Sequence, residues 1–140
     1  MKNVYEILEE VEKASSKSDK INVLRQNSTY ALKSVLKGAF DPRVEFTFTE
    51  IPEYKPDDAP PGLGYSTIHQ ELGRMYLFEK NNPKVPPTLS EQRKKEILIQ
   101  ILESLEEKEA KVLANMLMKK VDAKGVNYKL VKEAFPDILP

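Results

Sequence analysis

The prolines of this chain are bunched, and this confines its regular structure. Four of the ten fall in residues 52–64 (PEYKPDDAPPGLG), beside two glycines, and three in residues 81–87 (NNPKVPP). Proline has no N–H to donate and its ring clashes with the preceding helical turn, so neither stretch fits inside a helix or a sheet. Both read as loops, the first with polyproline character.

The segments outside these loops carry the helical period. Val4, Ile7, Leu8 and Val11 follow the i, i+3, i+4, i+7 pattern of an amphipathic helix. After Ser15-Ser16-Lys17-Ser18, a second helix capped by Ser18 buries Ile21 and Leu24 and ends near Asn27. Ser28 or Thr29 starts a third with Leu32, Val35, Leu36 and Phe40. Ser66 caps a helix through Ile68, Leu72, Met75, Tyr76 and Phe78. Thr88 or Ser90 caps another through Ile97, Leu98, Ile101, Leu102 and Leu105. A further helix runs from Ala110 to Lys120 and a short one precedes Phe135-Pro136. Residues 43–51 stay open between a short helix and an extended segment. Val44, Phe46 and Phe48 alternate with polar neighbours as in a strand, yet no second such run exists to pair with it. The expectation is one all-α domain over residues 1–140, a compact bundle of about six or seven helices.

Composition excludes several classes. The chain has no Cys and a single His69, which removes thiolate chemistry, cysteine metal sites and His-pair motifs. No apolar run approaches the ~18 residues of a membrane span, and Met-Lys-Asn-Val-Tyr-Glu lacks the character of a signal peptide. The reading is a cytoplasmic protein with no catalytic residue, no cofactor and no metal site. Acidic clusters at Glu6, Glu9, Glu10, Glu12 and at Glu103, Glu106, Glu107, Glu109 read as solvated helix faces. Arg93-Lys94-Lys95 reads as an exposed face paired with Glu91 and Glu96. Tyr5, Tyr30 and Tyr128 read as core aromatics, with base stacking as the functional alternative.

The charge is uneven along the chain. With 22 Lys and Arg against 22 Asp and Glu the total is zero, which counts against a general high-affinity nucleic-acid binder. Residues 110–140 nevertheless carry Lys111, Lys119, Lys120, Lys124, Lys129 and Lys132 against Asp122, Glu133 and Asp137, a net +3. These lysines surround the turn Val121-Asp122-Ala123-Lys124-Gly125-Val126-Asn127. Gly125 permits positive φ and close backbone approach. Asn127 can cap the next helix, whose free N–H groups would face an anion. The candidate phosphate-binding residues are therefore Lys119, Lys120, Lys124, Gly125, Val126, Asn127 and Lys129.

Two blocks of the chain resemble the N-terminal DNA-binding domain of bacteriophage ATP-dependent DNA ligases. The first is Ile7-Leu8-Glu9-Glu10, Lys20-Ile21-Asn22-Val23-Leu24, Asn27, Leu32, Lys33, Val35, Phe46-x-Phe48 and Ile51-Pro52. The second is Val112-Leu113, Met116-Leu117-Met118-Lys119-Lys120, Gly125 and Ala134-Phe135-Pro136-Asp137-Ile138-Leu139-Pro140. Residues 55–110 match in helical character alone. The resemblance implies an all-helical domain that holds duplex DNA by backbone contacts in the minor groove, with Lys119, Lys120, Gly125 and Asn127 at the phosphate-contacting positions. Ligase chemistry needs a KxDG lysine. Lys120-Val121-Asp122-Ala123 has Ala in place of Gly, with seventeen residues after it, and reads as a helix end. The functional expectation is a non-catalytic, sequence-independent module for double-stranded DNA, nicked or intact, accessory to phage replication or repair. The alternative is an adaptor of the same fold that binds a host or phage protein through its acidic faces or Pro-rich loops.

Overall fold

The computed structural model describes residues 2–60 and 63–140, so Pro61 and Gly62 of the first Pro-rich loop lie outside the described residues. The helices are α1 (Val4–Lys13), α2 (Lys17–Gln26), α3 (Tyr30–Phe40), α4 (Ile68–Glu71), α5 (Glu91–Ser104), α6 (Glu107–Leu117) and α7 (Tyr128–Ala134), with a 3₁₀ segment (Leu72–Phe78) continuing α4. The all-α bundle matches the expected fold class. Hydroxyl and amide caps set most of the starts. Ser16, rather than Ser18, accepts from the Asp19 N–H, Thr29 from Leu32, Ser90 from Arg93 and Asn127 from Leu130. Each satisfies one of the backbone donors that a helix start leaves without an intrahelical partner.

α3 and α6 form the centre. Leu32, Val35 and Leu36 of α3 and Leu113, Met116 and Leu117 of α6 are buried in one core. Gly38 lets the two helices approach, because a Cβ there would stand 2.7 Å from the Met116 sulfur. α1 packs on α6 and on α2, and α7 packs on α2.

Three regions correct the sequence reading or decide between its alternatives. The helix expected through Phe78 is α-helical only to Glu71 and then tightens to 3₁₀. Leu72, Met75 and Phe78 are all buried, and their spacing of three stacks them on one face only with three residues per turn. Residues 43–51 form no helix but an irregular segment with one extended bridge. Phe46 bridges antiparallel to Glu79, with Thr47 N–H donating to Phe78 O at 2.8 Å and Lys80 N–H to Glu45 O at 2.8 Å. The alternating face goes inward: Phe46 is buried and Phe48 packs on Phe78 at 5.3 Å between ring centroids.

The third region is the acidic cluster at the end of α5 and start of α6, where Glu103 and Glu107 are solvated as expected but the other two are not. Glu106 and Glu109 are both buried. Glu106 is the N-cap of α6, accepting from the Glu109 N–H at 2.8 Å and the Lys108 N–H at 2.9 Å. Its charge faces the positive end of the helix. Glu109 lies one turn on in the same buried stripe as Ala110 and Leu113. Its Oε2 has no hydrogen-bond partner among the described residues. Burial pushes its carboxyl above the usual range, with Glu106 adding to the rise and the Ile68 N–H opposing it.

The end of α6 is fastened to the end of α3 by one side chain. α6 closes with Lys119 N–H on Met116 O at 2.9 Å and Lys120 N–H on Asn115 O at 3.0 Å, the paired bonds of a Schellman cap. That motif places its C′ residue at positive φ. Here the residue is Lys119, at φ 61°, where a non-glycine side chain costs about 1–2 kcal/mol. Its ammonium donates to Gly38 O at 2.6 Å, Val44 O at 2.7 Å and Asp41 O at 2.8 Å. All three donors of the ammonium are used, and the charge sits at the negative end of α3. Burial lowers the Lys119 pKa, with Asp41 and Glu45 opposing that shift.

Two stability measurements follow. Lys119→Met leaves three carbonyls without their donor and is expected to cost about 2–3 kcal/mol in urea unfolding. Lys120→Met, at an exposed neighbour, should stay within about 0.5 kcal/mol of the parent. Equal losses at the two positions would show that Lys119 does not hold α3 to α6. For Glu109, the raised folded-state pKa means that the fold holds the proton more tightly than the unfolded chain. The resulting stabilisation is present below the unfolded carboxyl pKa and is lost as pH rises through the folded one. Glu109→Gln, which cannot ionise, should therefore gain about 1 kcal/mol on the parent near pH 7, with the gain shrinking near pH 4. A gain independent of pH would rule out ionisation as its cause.

Candidate functional site

The turn after α6 was the expected anion site, and its seven residues have different fates. Lys119 is committed to three carbonyls and has no donor left for a phosphate. Val126 is buried and its N–H donates to Ala123 O at 3.1 Å, so neither its side chain nor its amide is free for an anion. The Asn127 Oδ1 already accepts from the Leu130 N–H at 2.9 Å, and α7 is only seven residues long. Helix-terminal geometry therefore contributes little there, and the charge at this site comes from lysines. Gly125 has φ +86°, and a Cβ on it would meet the Lys20 Cε at 3.1 Å. Lys120, Lys124 and Lys129 are exposed, and no ion pair or side-chain hydrogen bond to another described residue engages them.

The remaining C-terminal lysines are occupied. Lys111 pairs with Asp122 at 3.2 Å, both exposed. Lys132 donates to Leu139 O at 2.7 Å and Pro136 O at 3.1 Å, which clamps the last residues under α7. The Lys111–Asp122 pair and the Glu9–Lys108 pair stand at the edge of a small cleft between α1 and α6, about 190 Å³, whose walls include Leu8, Val35, Val112 and Val121. Of the KxDG-like stretch, Ala123 is buried and Asp122 is in this ion pair.

The fold adds basic residues that the sequence left unconnected. Lys33 of α3 places its ammonium 5.4 Å from the centre of the Phe135 ring, at the end of α7. Arg43 forks onto Asp41, with Nε to Oδ1 at 3.0 Å and Nη2 to Oδ2 at 2.9 Å. The Arg43 guanidinium holds the buried Asp41 carboxyl below its usual range while its own head stays largely exposed. Lys33 of α3 thus meets the C-terminal segment at the end of α7, while Lys37 on the same helix lines a groove toward the 3₁₀ segment. Arg93-Lys94-Lys95 does not join it. Arg93 pairs with Glu96, Lys94 is buried against Glu91, and Lys95 lines a separate hollow with Phe48 and Pro52.

Acidic groups collect at the opposite end of α6. The first Pro-rich loop docks there through Asp57 N–H on Leu105 O at 2.9 Å, Ser66 N–H on Ser104 O at 2.8 Å and Lys55 N–H on Glu103 Oε2 at 3.0 Å. Asp57, Asp58, Glu103 and Glu107 gather at this end. Leu63 and Tyr65 stand out from the loop at 70% and 90% exposure.

Among the described residues, no three His, Asp or Glu side chains converge as metal ligands would. No helix among them is long and apolar enough to cross a membrane. No curated protein matches the chain. A family model covers residues 7–123, from the first turns of α1 to the turn after α6, and the chain belongs to that family, described as a family of unknown function (DUF6433).

Proposed function

We propose that the chain is a non-catalytic DNA-binding module that holds duplex DNA by its phosphate backbone, without reading sequence, as an accessory to phage DNA replication or repair in the host cytoplasm. One observation carries this reading. Three exposed lysines that no ion pair or side-chain hydrogen bond to another described residue engages, Lys120, Lys124 and Lys129, follow α6, and the same C-terminal segment meets Lys33 of α3 at Phe135. A lysine with no carboxylate to leave can neutralise a phosphate at no cost in broken ion pairs. The resemblance to phage ligase DNA-binding domains supports the same surface, with Lys119 removed from it and Lys33 added, while Arg43 is committed to Asp41. The acidic groups of the first Pro-rich loop lie at the far end of α6, and Asp122 within the turn is paired with Lys111.

A second reading, the adaptor, has its own observation in the exposed Leu63 and Tyr65 among acidic neighbours. It predicts capture of a protein with an apolar pocket and a basic rim. The two readings use opposite ends of α6 and are compatible.

The test is fluorescence anisotropy on labelled duplexes of unrelated sequence over a range of salt. With ~3–5 phosphates engaged, log K against log salt should fall with a slope of about −3 to −4.5, and Kd at physiological salt should lie near ~10⁻⁴ to 10⁻⁶ M. Replacing Lys120, Lys124 and Lys129 together by Gln should flatten the slope by roughly 2.7 and weaken all sequences alike. An unchanged slope in a folded triple variant would remove these lysines from the interface. Retention of no duplex at low salt would reject the DNA reading and leave the adaptor.

A further inference from the structure

A groove of about 350 Å³ runs along the exposed side of α3, between that helix and the 3₁₀ segment. One wall carries Tyr30, Ser34 and Lys37 and the other Gly73 and Tyr76, over a floor that includes Phe46. Tyr30 is 56% and Tyr76 37% exposed. The Tyr30 ring is propped by an edge contact with His69, 5.5 Å between centroids and 80° between planes, which fixes it without covering it. Gly73 has nothing within 4 Å of where its Cβ would lie, so the second wall is recessed beside Tyr76. The Ser34 hydroxyl makes no hydrogen bond to another described residue.

The groove is continuous with the basic surface. Residues 30, 33, 34 and 37 share one face of a helix, so Lys33 and Lys37 stand beside the ring of Tyr30, and Lys37 lines the groove itself. Glu79 lines it too and would repel a phosphate. A nucleic-acid backbone must then run on the Lys37 side and send its base inward. Two exposed phenol rings flanking a recess of this size suit a flat aromatic ring, because every base has a face that stacks on an aromatic side chain. A backbone-bound duplex has all its bases stacked internally, so the occupant has to be an unpaired one.

We propose that this groove takes one unstacked DNA base, at a gap or a single-strand overhang, from a backbone held by Lys33 and Lys37, with Tyr30 and Tyr76 as the stacking rings. The inference rests on the DNA reading above and adds to it a preference for interrupted over intact duplex.

The experiment compares three duplexes: one with a short overhang carrying 2-aminopurine, one with an abasic residue at that position, and one blunt and intact. Anisotropy gives Kd, and 2-aminopurine emission reports stacking. The base-bearing overhang is expected to bind roughly tenfold more tightly than its abasic counterpart, with its emission quenched on binding. Tyr30→Ala, which truncates an exposed ring, and Gly73→Leu, which fills the recess and leaves both rings in place, should each bring that ratio to within about twofold. Intact-duplex affinity should hold in Gly73→Leu. Equal binding of base and abasic overhangs, with salt-dependent binding of intact duplex retained, overturns the groove proposal and leaves the DNA reading standing. A tenfold preference that survives Gly73→Leu and Tyr30→Ala also overturns it, since the base then sits elsewhere. Retention of none of the three duplexes at low salt overturns both.

Discussion

Where α3 ends, its carbonyls turn toward the chain that leaves α6, and the Lys119 ammonium takes Gly38 O, Asp41 O and Val44 O together. The rest of the molecule hangs on this joint. It fixes the C-terminal ends of the two central helices, holds the irregular segment that begins at residue 43, and sets the direction of the turn that carries Lys120 and Lys124. The strain of a lysine at positive φ is offset by three charge-assisted bonds at a helix C-terminus. Glycine at this position would relieve the backbone and lose the fastening. The same solution recurs elsewhere. Lys20 donates to Val11 O at 2.8 Å at the end of α1, and Arg25 donates to Glu133 O at 2.9 Å and Ala134 O at 3.2 Å at the end of α7. This chain spends cations on the carbonyls that its helices leave open.

That expenditure decides how much of the site the sequence could disclose. The helices and most of their caps follow from the 3.6-residue period and the position of Ser, Thr and Asn. The buried stripe of α6 was also legible, since Glu106 and Glu109 fall in register with Ala110, Leu113 and Leu117, and acidic residue type obscured it. The 3₁₀ turn was written in the period of three at Leu72, Met75 and Phe78. Lys119 had no such signal. Its local neighbours say only "helix end with a charge", and its partners lie some eighty residues earlier. Lys33 carried no local mark either, because its value comes from where the end of α7 is placed beside it. Gly125 and Asn127 were recognisable from turn chemistry alone, and both adopt the conformation that this chemistry demands.

A neutral total charge is therefore a poor guide to what this surface can bind. The formal count weighs an exposed lysine, a lysine seated on carbonyls and a lysine paired with a carboxylate alike, whereas a phosphate responds only to the first. It also ignores position. The acidic loop docks before α6 and the basic turn follows it, and an eleven-residue helix separates them by roughly 16 Å. The Debye length is about 8 Å at physiological ionic strength, so the two ends lie about two screening lengths apart. The acidic end then does little to the potential over Lys120, Lys124 and Lys129. At 0.01 M salt the screening length grows to about 30 Å and the acidic end is felt as well, but a phosphate seated on the lysines stays nearer to them than to that end, so binding still strengthens as salt falls. Charge segregation along one central helix thus lets a chain of zero net charge keep a basic face under cellular conditions.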